Sequence, residues 1–195
     1  MKKTFLLMTA FITLLCIAPG CKGGKKTAQA AAEEPAVEVE TFMTAIENYL
    51  TDIIAPDYSQ GTYCIPFCDW VCADESNPDT IAVLGNFWVM NYDQEGDTLK
   101  TVSGGNHSGK MIVLKDAAGH FSVAGFEQTE DGSGYEASAR RIFGGKYDDY
   151  AAAHSDEVAR EKVRAQSIAA FVKRDSLEVK YYQDFGWPAV EIPAE

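Results

Sequence analysis

The sequence predicts an α+β domain in which one N-terminal amphipathic helix packs on a curved antiparallel β-meander, followed by C-terminal helices. Three observations predict it. Apolar residues recur at helical spacing from Phe42 to Ile54, strand-like segments separated by turn-forming groups run from Tyr63 to Gln128, and helical periodicity returns from about Ser138 to Lys173.

The first element carries Phe42, Ala45, Ile46, Tyr49, Leu50, Ile53 and Ile54 on one stripe. Thr41 suits its N-cap, and Pro56 stops it. Tyr63–Ala73 and Ile81–Tyr92 follow as strands, bounded by Asp57-Tyr58-Ser59-Gln60-Gly61 and Asn77-Pro78-Asp79. In the second strand Ile81, Val83, Phe87 and Val89 fall on one face and Ala82, Leu84, Trp88, Met90 and Tyr92 on the other. A strand apolar on both faces belongs at the centre of a sheet or along an enclosed cavity.

Three hairpins are then expected. Asp93-Gln94-Glu95-Gly96-Asp97 leads to a strand over 98–103, Gly104-Gly105-Asn106-His107 forms a second loop leading to 110–115, and Asp116-Ala117-Ala118-Gly119 closes a third into 121–128. The alternation of that last strand changes phase near Gly125, the mark of a bulge. Beyond Asp131-Gly132-Ser133-Gly134, helices are expected at Ser138–Phe143 and from about Asp156 to Lys173. Asp156 is placed to pair with Arg160, and Val158, Val163, Ile168, Phe171 and Val172 supply an apolar face. Residues Leu177–Tyr182 read as a short extended segment rejoining the sheet.

Ahead of the domain, Met1-Lys2-Lys3, the apolar run Phe5–Ile17 and the small residues Ala18-Pro19-Gly20 precede Cys21 as in a bacterial secretory signal. The run is roughly half the ~20 residues that span a bilayer. Cleavage before Cys21 makes residues 1–20 a lipoprotein signal peptide and Cys21 the lipid-carrying, palmitate-bearing first residue of the mature chain. Cys16 is the weaker acceptor, because the bulky Leu14 and Leu15 precede it. Residues 21–39, rich in Gly, Lys, Ala and Glu and without apolar periodicity, have the composition of a flexible tether. Residues 40–195 then form a single domain. The expected location is the bacterial cell envelope, extracytoplasmic, with the membrane reached through the lipid on Cys21.

Loss of residues 1–20 removes Lys2 and Lys3 and no acidic residue, leaving 15 of the 17 basic residues against 29 acidic ones, a net charge of −14 rather than −12. So acidic a surface speaks against nucleic acid as a partner, since phosphate binding needs Lys and Arg. Cys64, Cys68 and Cys72 remain as an odd set. Along an extended strand neighbours lie about 13 Å apart, beyond disulfide reach, and the spacing would put the three on one face. The two-residue spacing of zinc and redox motifs is missing, so no metal and no cofactor are expected.

One amphipathic helix followed by a curved meander with Trp and Phe residues pointing both ways resembles the cystatin-like and nuclear-transport-factor-like group of folds. With the lipoprotein signal, the chain is similar to small surface lipoproteins of gut anaerobic bacteria. The resemblance covers about Thr41 to Gln128. It implies a helix across the concave face of the sheet and a conical pocket used for ligands, catalysis or protein contact. The Gln-x-Val-x-Gly loop of protease-inhibiting cystatins is absent.

Chemistry in such a cone would need a carboxylate or histidine against an apolar wall. Asp69 shares its strand face with Ile65, Phe67 and Val71 and is the first candidate; His107, in the glycine-rich stretch, is a second. His120 and His154 read as boundary residues. Asn86 is polar on a face made of Ala82, Leu84, Trp88 and Met90, and such an amide needs partners from ligand, protein or a neighbouring backbone bulge. Trp70 and Trp88 are candidate walls for a flat ligand. The leading expectation is a lipid-anchored binding domain for a small molecule or a surface protein. The alternatives are an isomerase- or dehydratase-type enzyme using a carboxylate in the pocket and an acidic protein-interaction module.

Overall fold

The computed structural model of the chain describes residues 41–194. The proposed signal, Cys21 and the tether lie outside the described residues. The architecture is α+β, an open, curved, mostly antiparallel sheet of seven strands with helices on both faces.

Helix α1 (Phe42–Tyr49) begins at Thr41, whose hydroxyl accepts a hydrogen bond from the Thr44 N–H at 3.3 Å. It widens into a π-turn at Leu50–Ile54 and ends in a 3₁₀ turn at Ala55–Asp57, where Pro56 stops it. Strands β1 (Tyr63–Cys64) and β2 (Phe67–Asn77) are separated at Ile65-Pro66; the proline has no N–H to give to a ladder. Next come β3 (Thr80–Glu95), β4 (Thr98–Lys115) and β5 (Phe121–Gln128). Helices α2 (Tyr135–Phe143), α3 (Tyr147–Ser155) and α4 (Glu157–Arg174) follow, and the chain returns to the sheet as β6 (Tyr181–Gln183) and β7 (Val190–Glu191).

The long β3–β4 hairpin is the spine of the sheet. One half of it is flanked by β2 and β5, the other by β1 and β6, and β6 runs parallel to β4. The expected loop at Gly104–His107 is instead continuous strand, with Gly104 opposite Met90 and Gly105 opposite Val89. These glycines do not turn the chain, and neither has a positive φ. They make room: a Cβ on Gly104 would strike the Met90 sulfur and the Val89 carbonyl, and one on Gly105 would strike Tyr58. True turns sit at Gly96 (φ +63) and Gly119 (φ +94). The phase change near Gly125 is a bulge, since Ile112 pairs with Gly125 and Val113 with Val123.

Under α1 the sheet is close-packed. Ile46 and Leu50 meet Val83, Phe87, Val89, Met111 and Val113, all seven fully buried, with Phe126 edge-on to Phe87. The conical pocket implied by the resemblance is filled with side chains. On the opposite face two apolar clusters form. Ala139, Ile142, Phe143 and Tyr150 pack with Val71 and Leu84, while Phe67, Met90, Tyr92, Leu99, Ile168 and Tyr182 pack beside Trp88. Polar residues occupy the seam between the two clusters, where α3 ends and α4 begins.

Helix α4 starts on Asp156, whose carboxylate accepts from the Ala159 N–H at 2.9 Å. Asp156 is therefore the cap, and Arg160 approaches Glu157 and Glu161 at 3.8 and 3.9 Å in place of the expected Asp156 pair. Val158, expected on the apolar face, is 81% exposed, while Arg160 of the same turn lies over Trp88 of the sheet.

Candidate functional site

Asn86 lies at the centre of the seam and is 2% exposed. Strand register puts Asp69 directly across from it on β2 and Ser108 across from it on β4, with Asn106 diagonal. Its side-chain carbonyl accepts three hydrogen bonds, from Asn106 Nδ2 at 2.9 Å, Ser108 Oγ at 2.8 Å and His154 Nδ1 at 3.0 Å. The partners are side chains from β4 and α3, where sequence reasoning allowed a backbone bulge. The other half of the amide is unsatisfied. Asn86 Nδ2, Asn106 Oδ1 and Trp88 Nε1 are buried without a hydrogen-bond partner. Orphaned buried polar atoms are uncommon, and each needs an account.

Asp69 is half-buried beside this amide. Burial raises its carboxyl above the ordinary range, the Asp156 charge adds to the rise, and the facing Asn86 amide, Arg160 and His154 oppose it. The amide thus lies close enough to influence the carboxylate without meeting the geometry of a hydrogen bond. His154 is shifted the other way: burial and the Arg160 charge lower its pKa, while Asp69 raises it. The imidazole is therefore neutral at pH 7. Its ring is tilted against Tyr150 and Tyr135, centroids 5.4 and 5.8 Å away, and the hydroxyls of those two tyrosines are hydrogen-bonded to each other. Trp88 stacks on Phe67 with ring planes 3° apart and lies under the Arg160 guanidinium, 5.3 Å from the ring centroid.

The other candidates are scattered. His107 is on the α1 face, bonded to the Tyr58 hydroxyl at 2.9 Å and to Gln128 at 3.2 Å, away from Asp69. Trp70 lies opposite Gly85 on the free edge of the sheet, 49% exposed, so it does not share a wall with Trp88. The three cysteines are free thiols and do not share one face. Cys64 and Cys68 pack toward α1, whereas a bulge between Trp70 and Cys72 switches the phase and sets Cys72 against Leu84. Among the described residues no group of three or more His, Cys, Asp or Glu side chains is arranged to hold a metal ion.

Sequence reasoning missed His154 as a site residue, because helix α3 was not expected. Its one signal is the Tyr150-x-x-x-His154 spacing, which puts both rings on one face of a helix. A groove of about 590 Å³ between the end of α1 and α4, lined in part by Tyr63, Cys64 and Phe171, lies apart from the seam. None of the orphaned atoms lines it, so the chemistry points to the seam. Among protein-family models, curated proteins and solved structures, the chain matches none.

Proposed function

We propose that this protein is a lipid-anchored, extracytoplasmic domain that binds a small polar molecule at the Asp69–Asn86–His154 seam. The anchor rests on the sequence leading to Cys21, and the domain on the cystatin-like pattern of helix and meander. The observation that carries the binding reading is the unsatisfied chemistry around Asn86. A donor on Asn86, a donor on Trp88 and an acceptor on Asn106 are held without partners beside a desolvated carboxylate and a neutral imidazole. A molecule with both hydrogen-bond donors and acceptors complements that set, entering where His154 is exposed.

The test is an amide-resolved NMR screen of the folded domain with polar fragments such as amides, hydroxy acids and amino alcohols. Shift changes clustered on Asp69, Asn86, Asn106 and His154, and abolished by Asn86→Leu, are expected. Perturbations confined to other surfaces, or none at all, overturn the assignment. The anchor is tested separately with a clickable fatty acid, which is expected to label the wild-type chain and not Cys21→Ala; equal labelling of both overturns it.

A further inference from the structure

The hydrogen bonds around Asn86 fix more than the position of His154. An amide has one acceptor end and one donor end, and the two cannot be exchanged freely here. Asp69 faces Asn86 across the strand pair, and a carboxylate there favours Nδ2 on its side. Oδ1 is then turned to Asn106, Ser108 and His154, as observed. Nδ1 also lies 3.5 Å from Asn106 Nδ2 and from the Tyr150 hydroxyl, but both Asn106 amide protons go to Asn86 Oδ1 and Ser108 Oγ at 2.9 and 3.0 Å. Because a carbonyl oxygen can only accept, the shorter 3.0 Å contact with Asn86 places a proton on His154 Nδ1. A neutral ring with Nδ1 protonated leaves Nε2 bare.

We propose that Asp69 and Asn86 act as positioning residues that hold His154 as the Nδ1-protonated neutral imidazole, so that Nε2 serves as proton acceptor toward the molecule bound at the seam. This rests on the binding reading and narrows it. The ligand must present an O–H, an N–H or an activated C–H to Nε2. If the proton moves, the ligand keeps the electron pair and His154 becomes an imidazolium, its Nδ1–H bond to Asn86 intact and its charge opposed by Asp69. Return of the proton to a different ligand atom restores the neutral ring, and the net change is an isomerisation that consumes no co-reactant. The groups facing the ring are Asp69 from β2, Asn106 from β4, Tyr135 from α2, Tyr150 from α3 and Arg160 from α4.

Long-range ¹H–¹⁵N correlation spectra of the histidine rings in the ligand-free protein distinguish a protonated from a bare ring nitrogen. His154 is expected to show Nδ1–H in about fivefold excess or more, a ratio equal to ~1 kcal/mol. Asn86→Leu, which removes the acceptor, and Asp69→Asn, which frees the Asn86 amide to turn over, are both expected to lose that excess. A wild-type ring protonated mainly on Nε2 overturns the proposal, and that measurement stands even where a variant fails to fold. Loss of the proposal is separable from loss of the binding site. Fragments that perturb the seam while His154 carries Nε2–H leave binding intact and remove only the proton acceptor, whereas the expected tautomer without any fragment shifts does the reverse.

Discussion

Arg164 and Asp184 are joined by two parallel hydrogen bonds, Nη1 to Oδ2 at 2.8 Å and Nη2 to Oδ1 at 2.7 Å, which tie the middle of α4 to the segment after β6. The arginine is 4% exposed, and its Nε also donates to the Tyr92 hydroxyl at 2.9 Å. Removing Asp184 would leave a buried guanidinium with only neutral partners and Glu161 at 3.5 Å. Asp184→Ala is therefore expected to lower stability by about 2 kcal/mol. That is less than the ~3–5 kcal/mol of a fully buried pair, because the Asp184 side chain is 41% exposed. Urea unfolding followed by tryptophan fluorescence measures it, and an unchanged midpoint would show that the pair contributes nothing.

The same carboxylate sets a pH dependence. The hydrogen bonds from Arg164, together with that from Thr101 Oγ1 at 2.6 Å, hold Asp184 below the usual aspartate range. A depressed folded-state pKa means the unfolded chain binds more protons. The contribution is present above the unfolded value of about 3.9 and lost as pH falls through the lower folded value. Wild type and Asp184→Asn should differ in urea midpoint at pH 6 and converge as pH falls through the depressed folded-state value, below which both side chains are neutral. A gap that persists at low pH would mean that packing, not charge, makes the difference.

Elements defined by local chemistry were legible in the sequence. The cap at Thr41, the two-faced alternation of β3, the turns at Gly96 and Gly119 and the bulge at Gly125 each rest on a few adjacent residues. What the sequence hid depends on distant neighbours. Gly104 and Gly105 look like a turn until Met90 and Tyr58 are seen against them, and His154 looks like a boundary residue until α3 carries it over Asn86. Of the site candidates, Asp69, Asn86 and Trp88 were readable as polar or aromatic residues on one face of adjacent strands. The side-chain directions that separate them from His107 and Trp70 come only with the register.

Close approach distinguishes two glycines that look alike in sequence. A Cβ on Gly109 would strike the Glu127 backbone carbonyl, which cannot yield without shifting β5, whereas a Cβ on Gly125 meets nothing within 4 Å. Neither residue has a positive φ, so space alone separates them. Gly109→Ala is expected to cost about 1–3 kcal/mol, the range of overpacking, and Gly125→Ala less than about 0.5 kcal/mol. Thermal unfolding of the two variants side by side is the check; equal losses would mean that β5 adjusts freely.

Asp69 makes the opposite prediction to Asp184. Burial raises its pKa in the folded state, so the folded protein binds that proton more readily than the unfolded chain. Its contribution to stability is fully present below the unfolded value near 3.9 and is lost as pH rises through the higher folded value. Ionising the carboxylate in the folded protein carries a desolvation cost, which Asp69→Asn removes. The variant is expected to melt higher than wild type at pH 7 and to lose that advantage below about pH 3. His154 supplies the companion readout. Since the Asp69 charge is what raises its pKa, Asp69→Asn should lower the His154 value further, and Arg160→Gln should raise it. Histidine titration followed by NMR reads both shifts. A stabilised Asp69→Asn with an unmoved His154 titration would mean that the carboxylate is strained but electrostatically remote from the imidazole, and the seam would then lose its carboxylate.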